Sequence, residues 1–141
     1  MTTIGVFASI FDEQGRILLA KRNYGPRNWT TPGGQLESSE SHLDGLMREV
    51  REETGYIVQP VRLIGAYSTP HNDDLVLSFE AEIVEPANWQ PNDEISQVEF
   101  FSRSDLPRPM HFRAFTRIQD AYEGKSGVMQ VFGPESEFEY K

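Results

Sequence analysis

Apolar positions recur along the chain in two rhythms, and these define most of its elements. From Leu75 to Val84, the residues Leu75, Leu77, Phe79, Ala81 and Ile83 alternate with Ser78, Glu80 and Glu82. That period of two predicts a strand with one buried face. Thr3 to Phe11 is apolar at alternating positions on both faces, Ile4, Val6, Ala8 and Ile10 against Phe7 and Phe11, which predicts a strand covered on both sides. Asp12-Glu13-Gln14-Gly15 reads as a turn, with Arg16 to Arg22 as its hairpin partner. Val61 to Ser68 and Gln97 to Ser102 read as further strands, and 23–28, 69–74 and 85–95 as loops. A helical spacing appears in Leu43, Met47 and Val50, flanked by Leu46, and predicts a helix over 42–54 whose glutamates face away from the core. Ser41 with Asp44 fits its N-terminal cap, and Gly55 fits the left-handed residue that ends it. Phe112, Phe115, Ile118 and Tyr122 predict a second helix over about 110–123, after the breaks at Pro107 and Pro109. Residues 124–141 show no clear period and read as a short strand and a loose end. No repeat is present and nothing marks a second domain. Strands run before and after one helix, with another helix late, so the pattern is α+β, one domain over 1–141 with helices packed on a mixed sheet.

The helix over 42–54 also carries chemistry. Glu49, Glu52 and Glu53 lie three and four apart, so a helix sets them on one side as a carboxylate patch. Like charges at that spacing repel unless a cation neutralises them, and hard oxygen ligands suit Mg2+ or Mn2+. Pro32-Gly33-Gly34 just before it marks a tight turn whose carbonyls are further candidates for a cation.

Composition narrows the classes. The chain has 141 residues, a net charge of −9 and no cysteine. No cluster of Lys and Arg is present, which argues against binding long nucleic acid, and an acidic protein that handles an anionic substrate needs a cation of its own. Neither disulfides nor thiol chemistry enters. No apolar run is long enough to span a membrane, and the opening MTTIGVFASIF has neither a basic region nor a cleavage site. The expectation is a soluble protein of the cytoplasm.

The stretch Gly34 to Tyr56 resembles the Nudix hydrolase signature, G-x5-E-x7-R-E-U-x-E-E-x-G-U with U a bulky aliphatic residue. Gly34, Glu40, Arg48, Glu49, Val50, Glu52, Glu53 and Gly55 match at the right spacing, and Tyr56 departs from the last, packing position. The resemblance implies an α/β/α sandwich with the box helix and its preceding loop forming the site. It implies that Glu49, Glu52 and Glu53 bind the metals directly or through water, with the carbonyl of Gly33 as a further ligand. Arg48 would orient a catalytic glutamate, and Glu40 would support the loop or touch a second metal. A late loop often adds one more acid in this family; Glu94 is the first choice and Asp93 the second, while Glu37 lies in the box loop. Arg22 and Arg27 are candidates to meet phosphates, Tyr24 to stack on a base, and His71 to contact substrate from a loop; Trp29 reads as a packing residue, and His42 and His111 as solvated or packed.

The implied activity is Mg2+- or Mn2+-dependent cleavage of a nucleoside diphosphate linked to another moiety, of the ADP-ribose or nucleotide-sugar type. The segments YSTP and FFSRSDLP and the late acidic loop carry that layout. The alternatives are a nucleoside triphosphate pyrophosphohydrolase and a nucleotide-sensing module without turnover. The last usually lacks box glutamates, and this chain keeps them. The expected partner is a small nucleotide; the oligomeric state is left open, with a homodimer among the options.

Overall fold

The computed structural model describes residues 1–86 and 88–141. In chain order the strands are β1 (Thr3–Ile10), β2 (Ile17–Arg22), β3 (Trp29–Thr30) and β4 (Gly33–Gln35), followed by the helix α1 (His42–Thr54). Then come β5 (Ile57–Thr69), β6 (Asp74–Glu85), β7 (Ile95–Phe101), β8 (Met110–His111), the helix α2 (Phe112–Tyr122), β9 (Val128–Val131) and β10 (Glu139–Tyr140). They form two mixed sheets, β4-β1-β6-β5-β9 and β10-β8-β3-β2-β7.

The sheets make the middle layer because their central strands are apolar on both faces. On β1, Val6, Ala8 and Ile10 join Leu46 and Val50 of α1 in one core, while Phe7 points the other way toward Tyr67, Phe112 and Phe132. On β2, Leu18 belongs to the α1 side, and Ile17 and Leu19 pack with Ala114 and Ile118 of α2. One helix therefore covers each side, which is the α+β sandwich expected. Among the described residues no helix is long and apolar enough to cross a membrane.

The ends of α1 fall where its caps put them. Ser41 Oγ accepts from the Asp44 N–H at 3.0 Å, and Gly55 sits at φ 78°, the left-handed conformation that stops the helix. The apolar stripe is centred on Leu46 and Val50, both fully buried, whereas Leu43 is 38% exposed. The expectation that the glutamates face away from the core is corrected: Glu49 and Glu53 are buried, on the flank of that stripe.

β6 differs too. Its Leu75-to-Ile83 face is covered as expected, but Val76 and Ser78 on the other face are also buried, since β6 lies inside its sheet between β1 and β5. β5 begins at Ile57 rather than Val61, and α2 begins at Phe112 because Met110 and His111 pair with Tyr140 and Glu139. Strands of two or three residues such as β3, β4, β8 and β10 are too short to show a period. Position 87, within the loop expected over 85–95, lies outside the described residues.

Where a loose end was expected over 124–141, the chain is built into the fold. β9 runs parallel to β5, with Gly65 opposite Val128 and Ser68 opposite Val131. Phe132 is 3% exposed and stacks on Tyr67 with ring centroids 6.1 Å apart. The aromatic anchors of this segment are spaced too irregularly to reveal a face. Phe132→Ala should therefore cost about 3–5 kcal/mol of stability. Chemical denaturation measures this, and a midpoint equal to wild type would mean that residues 124–141 are not part of the core.

Candidate active site

The site begins where the edge strand β4 meets α1. β4 pairs antiparallel with β1, placing Gly33 opposite Phe7 and Gly34 opposite Val6. A Cβ on Gly33 would run into the Val6 carbonyl oxygen and come within 2.7 Å of Phe7 Cα, so only glycine lets the strands lie this close. A Cβ on Gly34 would lie 2.6 Å from Glu49 Oε2. The glycine pair thus brings bare backbone against the α1 carboxylates, and the Gly33 N–H donates to Glu53 Oε1 at 2.9 Å.

Arg48 holds the other side of this wall. Its Nε donates to Glu40 Oε2 at 2.6 Å and its Nη2 to Glu40 Oε1 at 2.9 Å, a two-pronged pair. Its Nη1 donates to Glu49 Oε1 at 3.0 Å and to Glu52 Oε2 at 3.2 Å. The bonds from Arg48 hold the Glu40 carboxyl down at about 2. Burial pushes Glu49 up against the pull of Arg48. Burial, with the charges of Glu49 and Glu94, raises Glu53 to about 8 despite the Gly33 bond.

A cleft of about 540 Å3 opens in front of these carboxylates. Glu94 lines it from the far loop, where its N–H donates to Asn92 Oδ1 at 2.9 Å and its carbonyl accepts from the Asn23 N–H at 2.8 Å. Arg22 lines it next to Glu53, whose charge it favours, and donates from Nη1 to Asn28 Oδ1 at 2.8 Å. Tyr24 stands at the mouth, 54% exposed. The opposite wall is α2, with His111, Arg113 and Arg117, and Phe7, Tyr67 and Phe132 form the floor between.

The NUDIX domain model of this family matches residues 1–121. The chain belongs to the Nudix family. An ADP-ribose pyrophosphatase of Methanocaldococcus jannaschii is 30% identical over 84% of this chain and 72% of its own length. A putative 8-oxo-dGTP diphosphatase of Bacillus subtilis is 31% identical over 91% of this chain and 85% of its own. The NAD-capped RNA hydrolase NudC of Pseudomonas aeruginosa is 36% identical over 64% of this chain, which spans only 33% of that protein. Among solved structures, an ADP-ribose pyrophosphatase from Streptococcus suis superposes with a TM-score of 0.78 over 94% of this chain and 100% of its own, at 24% identity, a likeness of fold.

Of the residues singled out in the Nudix box and loops, Gly33, Glu49, Glu53, Glu94, Arg22 and Tyr24 converge on the cleft. Arg48 stands behind them and pairs with four glutamates, Glu37 at 3.6 Å beside Glu40, Glu49 and Glu52. Glu52 does not join the buried pair: its side chain is 57% exposed and turned to Arg48. Asp93 does not line the cleft. Two residues expected to bind substrate do not line this cleft. Arg27 lies off the cleft, donating from Nη1 to Asn23 Oδ1 at 3.1 Å, and His71 is drawn away to Glu137 at 3.0 Å. Trp29 is a core residue, edge-on to Phe101.

Arg113 and Arg117 are not singled out in the sequence, and His111 reads there only as solvated or packed. The signal present was the four-residue spacing of the two arginines on a helix of known face. His111 serves as the N-cap of α2, its Nδ1 accepting from the Arg113 N–H at 3.0 Å, which requires Nδ1 unprotonated. Burial, aided by Arg113, lowers its pKa, consistent with that tautomer.

The donor set itself tests the fit of a metal. Among the described residues no three carboxylate or imidazole groups form a ready-made cluster. Two buried carboxylates on backbone stripped of side chains, with Glu94 nearby, suit Mg2+ or Mn2+, which takes a few carboxylates and completes its shell with water and phosphate oxygens. The raised Glu53 also sets the metal-free protein's response to pH. Its folded pKa of about 8 lies above the ordinary carboxylate range near 4.5, so the folded state holds the proton more tightly. Stability from this group is complete below about pH 4.5 and is lost as pH rises toward 8, on the order of 4 kcal/mol in all. In chelator, the Tm of wild type should fall over that range and that of Glu53→Gln should fall much less. Parallel pH profiles would remove Glu53 as the source.

Proposed function

We propose that this Nudix pyrophosphohydrolase cleaves the diphosphate linkage of a small nucleotide joined to another moiety, of the ADP-ribose or nucleotide-sugar class, and that Glu49, Glu52 and Glu53 with the Gly33 carbonyl would hold its Mg2+ or Mn2+, directly or through water. The observation that carries this reading is the buried pair Glu49 and Glu53 set against glycine backbone at one end of a cleft of nucleotide size. A bound divalent ion supplies charge neutralisation at the phosphates and a water of lowered pKa.

The protein's own groups do the rest. The Gly33 N–H fixes the Glu53 carboxylate, and Arg48 fixes that of Glu49. Glu94, which lines the same cleft and whose charge acts on both, would accept the proton of the attacking water. The water oxygen bonds to one phosphorus as the bridging P–O bond breaks, leaving two monophosphates. Arg22, beside Glu53, meets the phosphate oxygens, and Tyr24 at the mouth offers a face for a base. The cytoplasm, where such nucleotides occur, is the compartment this reading assigns.

The second reading is a triphosphate pyrophosphohydrolase, favoured by the likeness to the putative 8-oxo-dGTP diphosphatase. A panel of ADP-ribose, nucleotide sugars and nucleoside triphosphates with Mg2+ or Mn2+ separates them. Two monophosphates from ADP-ribose are expected; pyrophosphate released only from triphosphates would establish the second reading. Full turnover in excess chelator would defeat both.

Side-chain roles are tested at the same pole. Glu53→Gln keeps the shape and loses the charge, and should lower turnover at least about 10^3-fold, some 4 kcal/mol of barrier. Glu94→Gln should cost about 10- to 100-fold. Melting curves in chelator run beside the rates. A folded Glu53→Gln protein of near wild-type rate would take the α1 carboxylates out of the mechanism, and a silent Glu94→Gln would take the late acid out.

A further inference from the structure

The α2 wall of the cleft holds a cation that the hydrolytic pole does not use. Arg117 is 7% exposed, and its guanidinium borders the cleft. Among the described residues its Nε has no hydrogen-bond partner, and it forms no ion pair. Its Cζ lies 5.2 Å from the centroid of the Phe7 ring, which supports the guanidinium. Of the charged groups that act on it, Arg22 and Arg113 oppose its charge and Asp74, which lines the same cleft, favours it. Arg113 is already tied to Glu137 at 2.6 Å, and Arg22 to Asn28. Burial lowers Arg117 only to about 10, so it stays charged at neutral pH.

A buried, unpaired guanidinium costs stability, and two more arginines nearby add to that cost. The arrangement makes physical sense if an anion completes it. Its place is defined by Phe7: the same ring that carries Arg117 lies 2.7 Å, at Cδ1, from where a Cβ of Gly33 would stand. Phe7 thus borders both the α2 cation and the glycine backbone of the carboxylate pole.

We propose that Arg117, supported by Arg113 and Arg22, is an anion subsite that grips a phosphate of the substrate on the α2 wall, opposite the carboxylates. This rests on the diphosphate-hydrolase reading for its role, but its binding chemistry stands apart from turnover. The guanidinium edge supplies parallel N–H donors to phosphate oxygens, and the buried setting strengthens them. The phosphate is either the second one of the diphosphate or the third one of a triphosphate.

The test starts in chelator, where the carboxylate pole cannot hold phosphate through a metal. Inorganic phosphate should raise the Tm of wild type by at least about 3 °C. Arg117→Met, which fills the space without charge, should melt at or above the wild-type temperature without phosphate and gain nothing from it. A wild type that gains nothing, or an Arg117→Met protein that gains as much, overturns the proposal. Arg117→Lys keeps charge and stem but loses the fork, and should need at least about tenfold more phosphate for half the shift. An unchanged requirement overturns the proposal even where Arg117→Met fails to fold.

With Mg2+, Arg117→Met should lose about 10- to 100-fold in kcat/KM. Equal loss on ADP-ribose and dGTP assigns the subsite to the diphosphate, and loss on dGTP alone assigns it to the third phosphate. No loss on either overturns it. The phosphate arm can succeed where no turnover is found and fail where turnover is normal, so the two readings fall separately.

Discussion

Everything at the site depends on bringing two carboxylates into a protein interior beside apolar side chains. Glu49 and Glu53 share the buried side of α1 with Leu46 and Val50, so the helix cannot seat its core residues without burying the acids. Taking a carboxylate out of water is unfavourable unless donors replace the water. The fold supplies them sparingly. Glu53 receives one N–H from Gly33 and Glu49 a guanidinium bond from Arg48, and both acids still resist ionisation. The charge left without compensation is what a divalent ion would meet. The closeness of β4 to β1, which needs glycine at position 33, is therefore a condition of the chemistry as well as of the sheet.

The protein's overall charge is negative, yet its cleft is divided. Glu49, Glu53 and Glu94 occupy the α1 and loop side, with Arg22 beside Glu53, and Arg113 and Arg117 the α2 side, where Asp74 also lines the cleft. On the proposed reading a diphosphate substrate would use both, the acids through a bound cation and the arginines directly. Arg48 belongs to neither surface. By tying Glu37, Glu40, Glu49 and Glu52 together it holds four acids that would otherwise repel, while Glu53 is left to the Gly33 N–H. Replacing it by lysine would keep a charge but lose the fork that reaches them at once.

The carboxylate pole was legible in the sequence because its information is local. Cap residues and a 3.6-residue period set the ends of α1, and the spacing of Glu49 and Glu53 put them together whatever the rest of the chain did. What could not be read is set by tertiary contact. Glu52 has the same spacing, yet Arg48 draws it outward. His71 sits in a loop of the expected kind, but Glu137, distant in sequence, captures it. Arg117 looks like a solvated position beside the stripe that contains Ile118, and is buried because Phe7 and the tail cover that flank of α2. Strands of two or three residues have no period to read, and their partners lie far along the chain.

Those long-range contacts give the tail a place in the argument about specificity. Burial would raise the pKa of Glu137, but bonds from Arg113, His71 and Asn72 pull it down to about 2. One carboxylate thereby joins the start of α2, the turn at Pro70–Asn72 and the tail. Ser136 Oγ, itself bonded to the Gly133 carbonyl, accepts from Arg113 Nη1 at 3.1 Å, and Phe132 closes the floor against Tyr67. The α2 wall is thus shaped by residues beyond the stretch that the family model covers, which ends at 121. A hydrolytic pole encoded in one helix can then be kept while the opposite wall is altered by changes in the tail. Substrate choice in this chain should follow residues 111–140 more closely than the box.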